Sequence, residues 1–162
     1  MPKLTNALAL AASIARGKTT AVAAVEAALG RVEARDGNVR AWKTIQSEQA
    51  LAEAAKRDSE KPRGPLHGVP VGVKDIIDTK DMPTGHGTII HTHNHPSYDA
   101  PCVAQCRAEG GLMLGKTVTS EFAHLTPGKT KNPHNPAHSP AGSSSGSGAA
   151  VADFMVPVAF GT

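Results

Sequence analysis

Cysteine, aromatic residues and long apolar runs are all scarce in this chain, and each scarcity excludes a class of protein. Two cysteines, Cys102 and Cys106, in 162 residues cannot build the multi-bridge framework of a small secreted domain. They fit a reduced, cytoplasmic setting. Aromatic residues make up 3% of the chain and the formal net charge is only +3. Lys and Arg are scattered rather than gathered into a stripe with interleaved aromatics, so nucleic acid is not an expected partner. No run reaches the roughly 18 apolar residues of a membrane-spanning helix, so a membrane is not an expected partner either. The stretch Asn6–Ala12 after Lys3 resembles the apolar part of a signal peptide, but a buried first helix accounts for it better.

What remains is a chain the size of one domain, long enough to bury a core without staples. Leu4 to Ala34 is rich in Ala and Leu, broken at Gly17, with Thr19 and Thr20 placed to cap a second helix. Trp42–Ile45 reads as a short strand, and Ser47 is placed to cap a third, charged helix ending near Ser59. The Pro/Gly loop at 61–65 leads into Val69-Pro70-Val71-Gly72-Val73-Lys74-Asp75, an apolar strand that ends in two charges. Such an end commonly faces a crevice. Further along, Asp99–Ala108 is expected as helix, Leu112–Leu114 as a buried strand, and Val118–His124 as a helical turn. Residues 129–141 form a polar loop, and a small-residue helix is expected from Gly148 to Phe154.

Four patterns suggest chemistry. Gly110-Gly111-Leu112-Met113-Leu114-Gly115-Lys116-Thr117 fits the literal phosphate-loop pattern, although its spacer looks like a strand instead of following one. Gly142-Ser143-Ser144-Ser145-Gly146 fits the nucleophile elbow of an α/β-hydrolase, with Ser144 as nucleophile; that elbow needs a strand before it, which Pro136 and Pro140 oppose. His91, His93 and His95 would share one face of a strand and could bind metal there, while an exposed loop explains them with less. Cys102 and Cys106, four apart on one helix, are expected as buried thiols. The fourth pattern is the run Pro140–Ala152, with four hydroxyls and three glycines between Gly142 and Gly148. It suits close approach of backbone and hydroxyls to a polar substrate, and a flexible linker shares its composition.

Gly64–Asp75, then Gly115-Lys116-Thr117 with Glu121-Phe122-Ala123, then the serine run, together resemble the amidase signature family. The three motifs stand in order over nearly the whole chain. The resemblance implies hydrolysis of a carbon–nitrogen amide bond by a Ser-cisSer-Lys triad, with a small-molecule amide as substrate and no cofactor or metal. It makes Lys74 the base in its neutral form and Ser143 the bridging serine after a cis peptide, with Gly142, Ser144, Ser145 and Ser147 lining or supporting the site. Chemically, a lysine can serve as base once burial lowers its pKa. Ala141 and Ser145 stand where the family usually has glycine, and Ile76 where many members have a polar residue. These departures bear on substrate preference more than on the chemistry.

The resemblance also implies an α/β fold: N-terminal helices over 1–60, then, over 61–162, the first part of a mixed β-sheet core flanked by helices. Phe154–Phe160 reads as an apolar strand of that sheet, which is expected to be incomplete in this chain. In the family the nucleophile lies on a Gly-Gly-Ser loop downstream of the bridging serine, and no such loop occurs here before Thr162. The expectation is therefore the N-terminal portion of an amidase, inactive alone, whose remaining C-terminal portion supplies the attacking group. A non-catalytic domain that binds a ligand or partner is the alternative, and an unpaired sheet edge would favour self-association.

Overall fold

A computed structural model describes residues 6–162. Helix α1, Ala7–Ala15, starts where the Asn6 side chain accepts a hydrogen bond from the Ala9 amide at 2.8 Å. Leu4, where the sequence suggests a helix start, lies outside the described residues. Helix α2, Ala21–Val39, is capped twice. Thr20 accepts from the Ala23 amide at 3.0 Å, and Asp58, at the far end of helix α3 (Ser47–Asp58), accepts from the Ala21 and Val22 amides at 2.6 and 3.0 Å. A carboxylate there also complements the positive end of the helix dipole.

The entry to α3 differs from the sequence expectation. Gln46, not Ser47, is the cap residue; its side-chain amide is drawn away to donate to the Asp81 carbonyl at 2.6 Å, and no side chain caps the helix. Helix α4 begins at Pro101 rather than Asp99 and ends at Ala108, as suits a proline at the first helical position. Helix α5, Ser145–Ala152, begins inside the serine run, three residues earlier than expected. Val118–His124 contains only a 3-10 turn at Glu121–Ala123.

Four strands, β1 Trp42–Ile45, β2 Pro70–Lys74, β3 Leu112–Thr117 and β4 Val158–Phe160, form one mixed sheet in the order β1-β3-β2-β4. β3 runs parallel to β2 and β2 parallel to β4, while β1 is antiparallel to β3. Every residue of β2 and β3 is buried, so these central strands are covered on both faces. Leu112 and Leu114 pack with Trp42, Val25 and Ala150 against α2, α3 and α5. Val71, Val73 and Met113 pack on the other side with Ala11, Val103 and Cys106, against α1 and α4.

β4 is shorter than the expected Phe154–Phe160 strand. The buried carboxylate of Asp153 pairs with Arg31 at 2.7 Å and Arg35 at 2.9 Å, fixing a turn before Pro157 that delays entry to the sheet. Cys102 is exposed, against expectation, because Cys106 alone faces the core; burial pushes the Cys106 thiol up to about 11. No helix among the described residues is long and apolar enough to cross a membrane.

Candidate active site

The site forms where β2 and the serine run meet. Lys74 ends β2 with no solvent exposure. Its Nζ donates to Ser143 Oγ at 2.6 Å and to Thr162 Oγ1 at 2.5 Å. Burial holds the ammonium's pKa below the ordinary lysine value, because the charged form loses water it does not fully replace. The Gly142–Ser143 peptide is cis, and the Ser143 carbonyl accepts from the Ser120 amide at 3.0 Å. The segments carrying the three motifs thus converge on one serine.

Its neighbours take different posts. Ser144 exchanges hydrogen bonds with the backbone of Thr162, donating to its carbonyl at 3.1 Å and accepting from its amide at 3.0 Å. Ser145 is buried and lies 3.4 Å from Thr130 Oγ1. Ser147 sits beneath the sheet end, 2.6 Å from Thr117 Oγ1, and donates to the Phe160 carbonyl at 2.7 Å. Gly146 allows this close docking of α5, since a Cβ there would strike the Ala41 carbonyl and the Val118 amide. Gly142, Ser143 and Ser145 line a cavity of about 420 Å³, whereas Ser144 and Ser147 do not.

Nothing in the sequence marks Thr162 as a partner of Lys74. The register of β4 on β2, with Val73 beside Phe160, carries the chain two residues further to the end of Lys74. A second feature the sequence does not reveal lies across the sheet. Lys74 stands beside Thr117 in register and Lys116 beside Val73, so the two lysines leave opposite faces. Lys116 Nζ donates to the Ile77 carbonyl and Thr84 Oγ1, both at 2.8 Å, and lies 3.7 Å from the buried Asp75 carboxylate. Burial raises the Asp75 carboxyl, offset in part by the Gly85 amide and Lys116.

The competing patterns dissolve in this geometry. Leu112–Thr117 of the phosphate-loop match is itself the central strand β3, with Lys116 fully buried and bonded to protein. No strand leads directly into Ser144, so the nucleophile elbow is not built. Residues 91–93 form a turn and 94–95 an irregular stretch instead of a strand, and His91 packs edge-on against His86 and Phe122 with ring centroids 5.2 and 5.8 Å away. The serine run is helix and tight turn, not linker. Among the described residues no group of three His, Cys, Asp or Glu is placed to hold a metal. A cavity of about 310 Å³ near Asp81 lies apart from Lys74, and its three arginines, Arg57, Arg63 and Arg107, are already ion-paired.

A buried lysine thus meets a serine after a cis peptide at the end of an open mixed sheet flanked by helices. The Amidase family model matches residues 23–162, and the chain belongs to that family, the amidase signature family. It is 40% identical over 167 residues to a glutamyl-tRNA(Gln) amidotransferase subunit from Salinispora tropica, covering 97% of this chain and 34% of that protein. The corresponding protein of Streptomyces coelicolor is 42% identical, at 99% and 34% coverage. Among solved structures, the peptide amidase of Stenotrophomonas maltophilia superposes with a TM-score of 0.90 at 36% identity, over 96% of this chain and 35% of its own. A fatty acid amide hydrolase superposes with a TM-score of 0.89 at 27% identity, over 96% and 29%. The chain therefore spans about a third of the length of the relatives it matches.

Proposed function

We propose that this chain supplies the base and the bridging serine of a site that hydrolyses carbon–nitrogen amide bonds. The observation that carries the reading is the 2.6 Å contact from buried Lys74 Nζ to Ser143 Oγ, beside a cavity open to a small molecule. Neutral Lys74 takes the Ser143 proton as Ser143 takes that of an attacking hydroxyl; the proton returns along the same path to the leaving amine. Thr162 holds Lys74 on its second side, and Ser144 holds Thr162. Ser145 and Ser147 support the turn from below and are not proton carriers.

The attacking serine, with the amides that would stabilise the oxyanion, is assigned to a Gly-Gly-Ser loop outside these 162 residues. The 162-residue chain alone is then inactive. The test is amide turnover, with a serine-directed fluorophosphonate label, by the 162-residue chain and by a polypeptide extended through such a loop. The reading expects no turnover or label in the first. In the second it expects turnover, lowered at least about 10²-fold by Lys74→Ala and by Ser143→Ala. Hydrolysis by the 162-residue chain, or an extended enzyme indifferent to both substitutions, overturns it. Saturable partner or ligand binding without turnover in either form would favour the non-catalytic alternative.

A further inference from the structure

The proposed proton path leaves one buried charged pair unused. Lys116 is fully buried and Asp75 nearly so, and they stand 3.7 Å apart, Nζ to Oδ1. Removing two charges from water costs more than their attraction repays unless the geometry is good, and well-packed apolar residues in such a place are commonly no less stable. Here one carboxylate oxygen, Asp75 Oδ2, finds no hydrogen-bond partner among the described residues. Stability alone does not account for the pair. Its position is more telling: Asp75 directly follows Lys74, and Lys116 lies beside Val73 in register, on the face of the sheet opposite Lys74.

Between them the two side chains fasten the turn that ends β2. Lys116 Nζ donates to the Ile77 carbonyl and to Thr84 Oγ1, both at 2.8 Å. The Ile77 amide in turn donates to the Lys74 carbonyl at 2.9 Å, so Lys116 is two hydrogen bonds from the backbone of Lys74. Asp75 Oδ1 accepts from the Gly85 amide at 3.1 Å, and the Asp75 carbonyl accepts from the His86 amide at 2.9 Å. A Cβ at Gly85 would come to 3.0 Å from Asp75 Oδ2, so glycine leaves room for the carboxylate. The ties continue past His86. Its carbonyl accepts from the Phe122 amide at 2.8 Å, the Ala123 amide donates to the Ser120 carbonyl at 2.9 Å, and the Ser120 amide donates to the Ser143 carbonyl at 3.0 Å. One buried pair is thus fastened to both sides of the Lys74–Ser143 contact.

We propose that Asp75 and Lys116 are positioning residues of the amidase site, a buried clip on the turn after β2 that holds Lys74 Nζ against Ser143 Oγ without carrying a proton itself. The proposal rests on the amidase reading and adds two residues to it. Lys116 leaves the sheet on the face away from Lys74, and its hydrogen bonds run to Ile77 and Thr84 rather than to Ser143. A reacting group misplaced by about 1 Å can lose on the order of 10²-fold in rate, so a clip remote from the reacting atoms bears on turnover. Removing one partner of the pair strands a buried charge, whereas removing both leaves none. The double substitution is therefore the informative one.

The test is the pH titration of the Lys74 ¹³Cε signal in the 162-residue chain and in its Asp75→Asn, Lys116→Met double variant, each with and without Ser143→Ala. The double variant leaves the net charge unchanged, so a Lys74 that keeps its place should titrate as in the wild type. The proposal expects the midpoint to rise towards the ordinary lysine value and to lose its dependence on the Ser143 hydroxyl. In a polypeptide extended through the Gly-Gly-Ser loop, the same variant should lower kcat by at least about tenfold with KM little changed. A midpoint that stays in place and still responds to Ser143→Ala overturns the proposal, even where the denaturant midpoint falls. So does an unchanged kcat in an extended enzyme that depends on Lys74. Should the double variant not fold, Thr84→Val, which removes one acceptor of Lys116 and keeps both charges, carries the same titration: an upward displacement supports the clip and an unmoved midpoint overturns it. Titration needs no turnover, so the two readings fail separately. An unmoved midpoint beside Lys74-dependent turnover removes this inference alone, and a displaced midpoint without Lys74-dependent turnover removes the amidase reading and leaves the clip.

Discussion

At the scale of the residue, Lys74 is buried and, among the described residues, its Nζ meets no carboxylate and donates to two hydroxyls. Burial lowers its pKa, so between the folded value and the ordinary value of about 10.4 the unfolded chain binds the extra proton. Stability then rises with pH through that window, and the penalty is fully present below the folded pKa. Lys74→Met removes the penalty, so its unfolding free energy should exceed that of the wild type below the folded pKa and should climb less as the pH rises towards the ordinary lysine value. Lys116, also lowered by burial, leaves a residual slope in the variant. Denaturant unfolding across that range checks the sign, and a steeper climb in the variant would refute it. Turnover of an extended enzyme should likewise rise with pH through the folded Lys74 value, since only the neutral amine accepts a proton.

At the scale of the element, α5 matters because its first turn carries the serines and its docking sets where they lie. Gly146 is the contact point, with its amide donating to the Val118 carbonyl at 2.9 Å. Gly146→Ala should destabilise the chain by about 1–3 kcal/mol through overpacking, seen as a lowered denaturant midpoint. Gly148, whose added Cβ would meet nothing, should tolerate alanine or gain slightly in stability. Equal costs at the two positions would contradict this docking. Leu114, a fully buried residue of β3 in the cluster packed by the helices, should cost about 2–5 kcal/mol when cut to alanine.

The elements were largely legible because their signals are local: alanine periodicity for α1 and α2, and an apolar run for β2 and for the first half of β3; the strand goes on from Leu114 through Gly115, Lys116 and Thr117, which carry no apolar signal. The contacts that complete the site are not local. Lys74 and Thr162 are 88 residues apart and Thr117 and Ser147 are 30, and no period or cap marks such pairs. The serine run shows the limit well. Its small residues look equivalent in sequence, yet the path of the chain into α5 turns Ser143 to the lysine, Ser144 to Thr162 and Ser147 to Thr117. Ser47 misled for a related reason, since β1 runs straight into α3 and Gln46 is drawn to Asp81.

At the scale of the whole molecule, the mixed sheet brings three distant segments to the carboxyl end of β2, where parallel strands leave a crevice. On the proposed reading, that convergence is what a buried lysine needs to act as a base. The central claim is that Lys74 is held with a lowered pKa against Ser143. Its most direct measurement is the pH titration of the Lys74 ¹³Cε signal in the 162-residue chain, assigned by Lys74→Arg and repeated in Ser143→Ala. The account predicts a midpoint below the ordinary lysine value, displaced when the Ser143 hydroxyl is removed. A midpoint at the ordinary value, indifferent to Ser143, would contradict it.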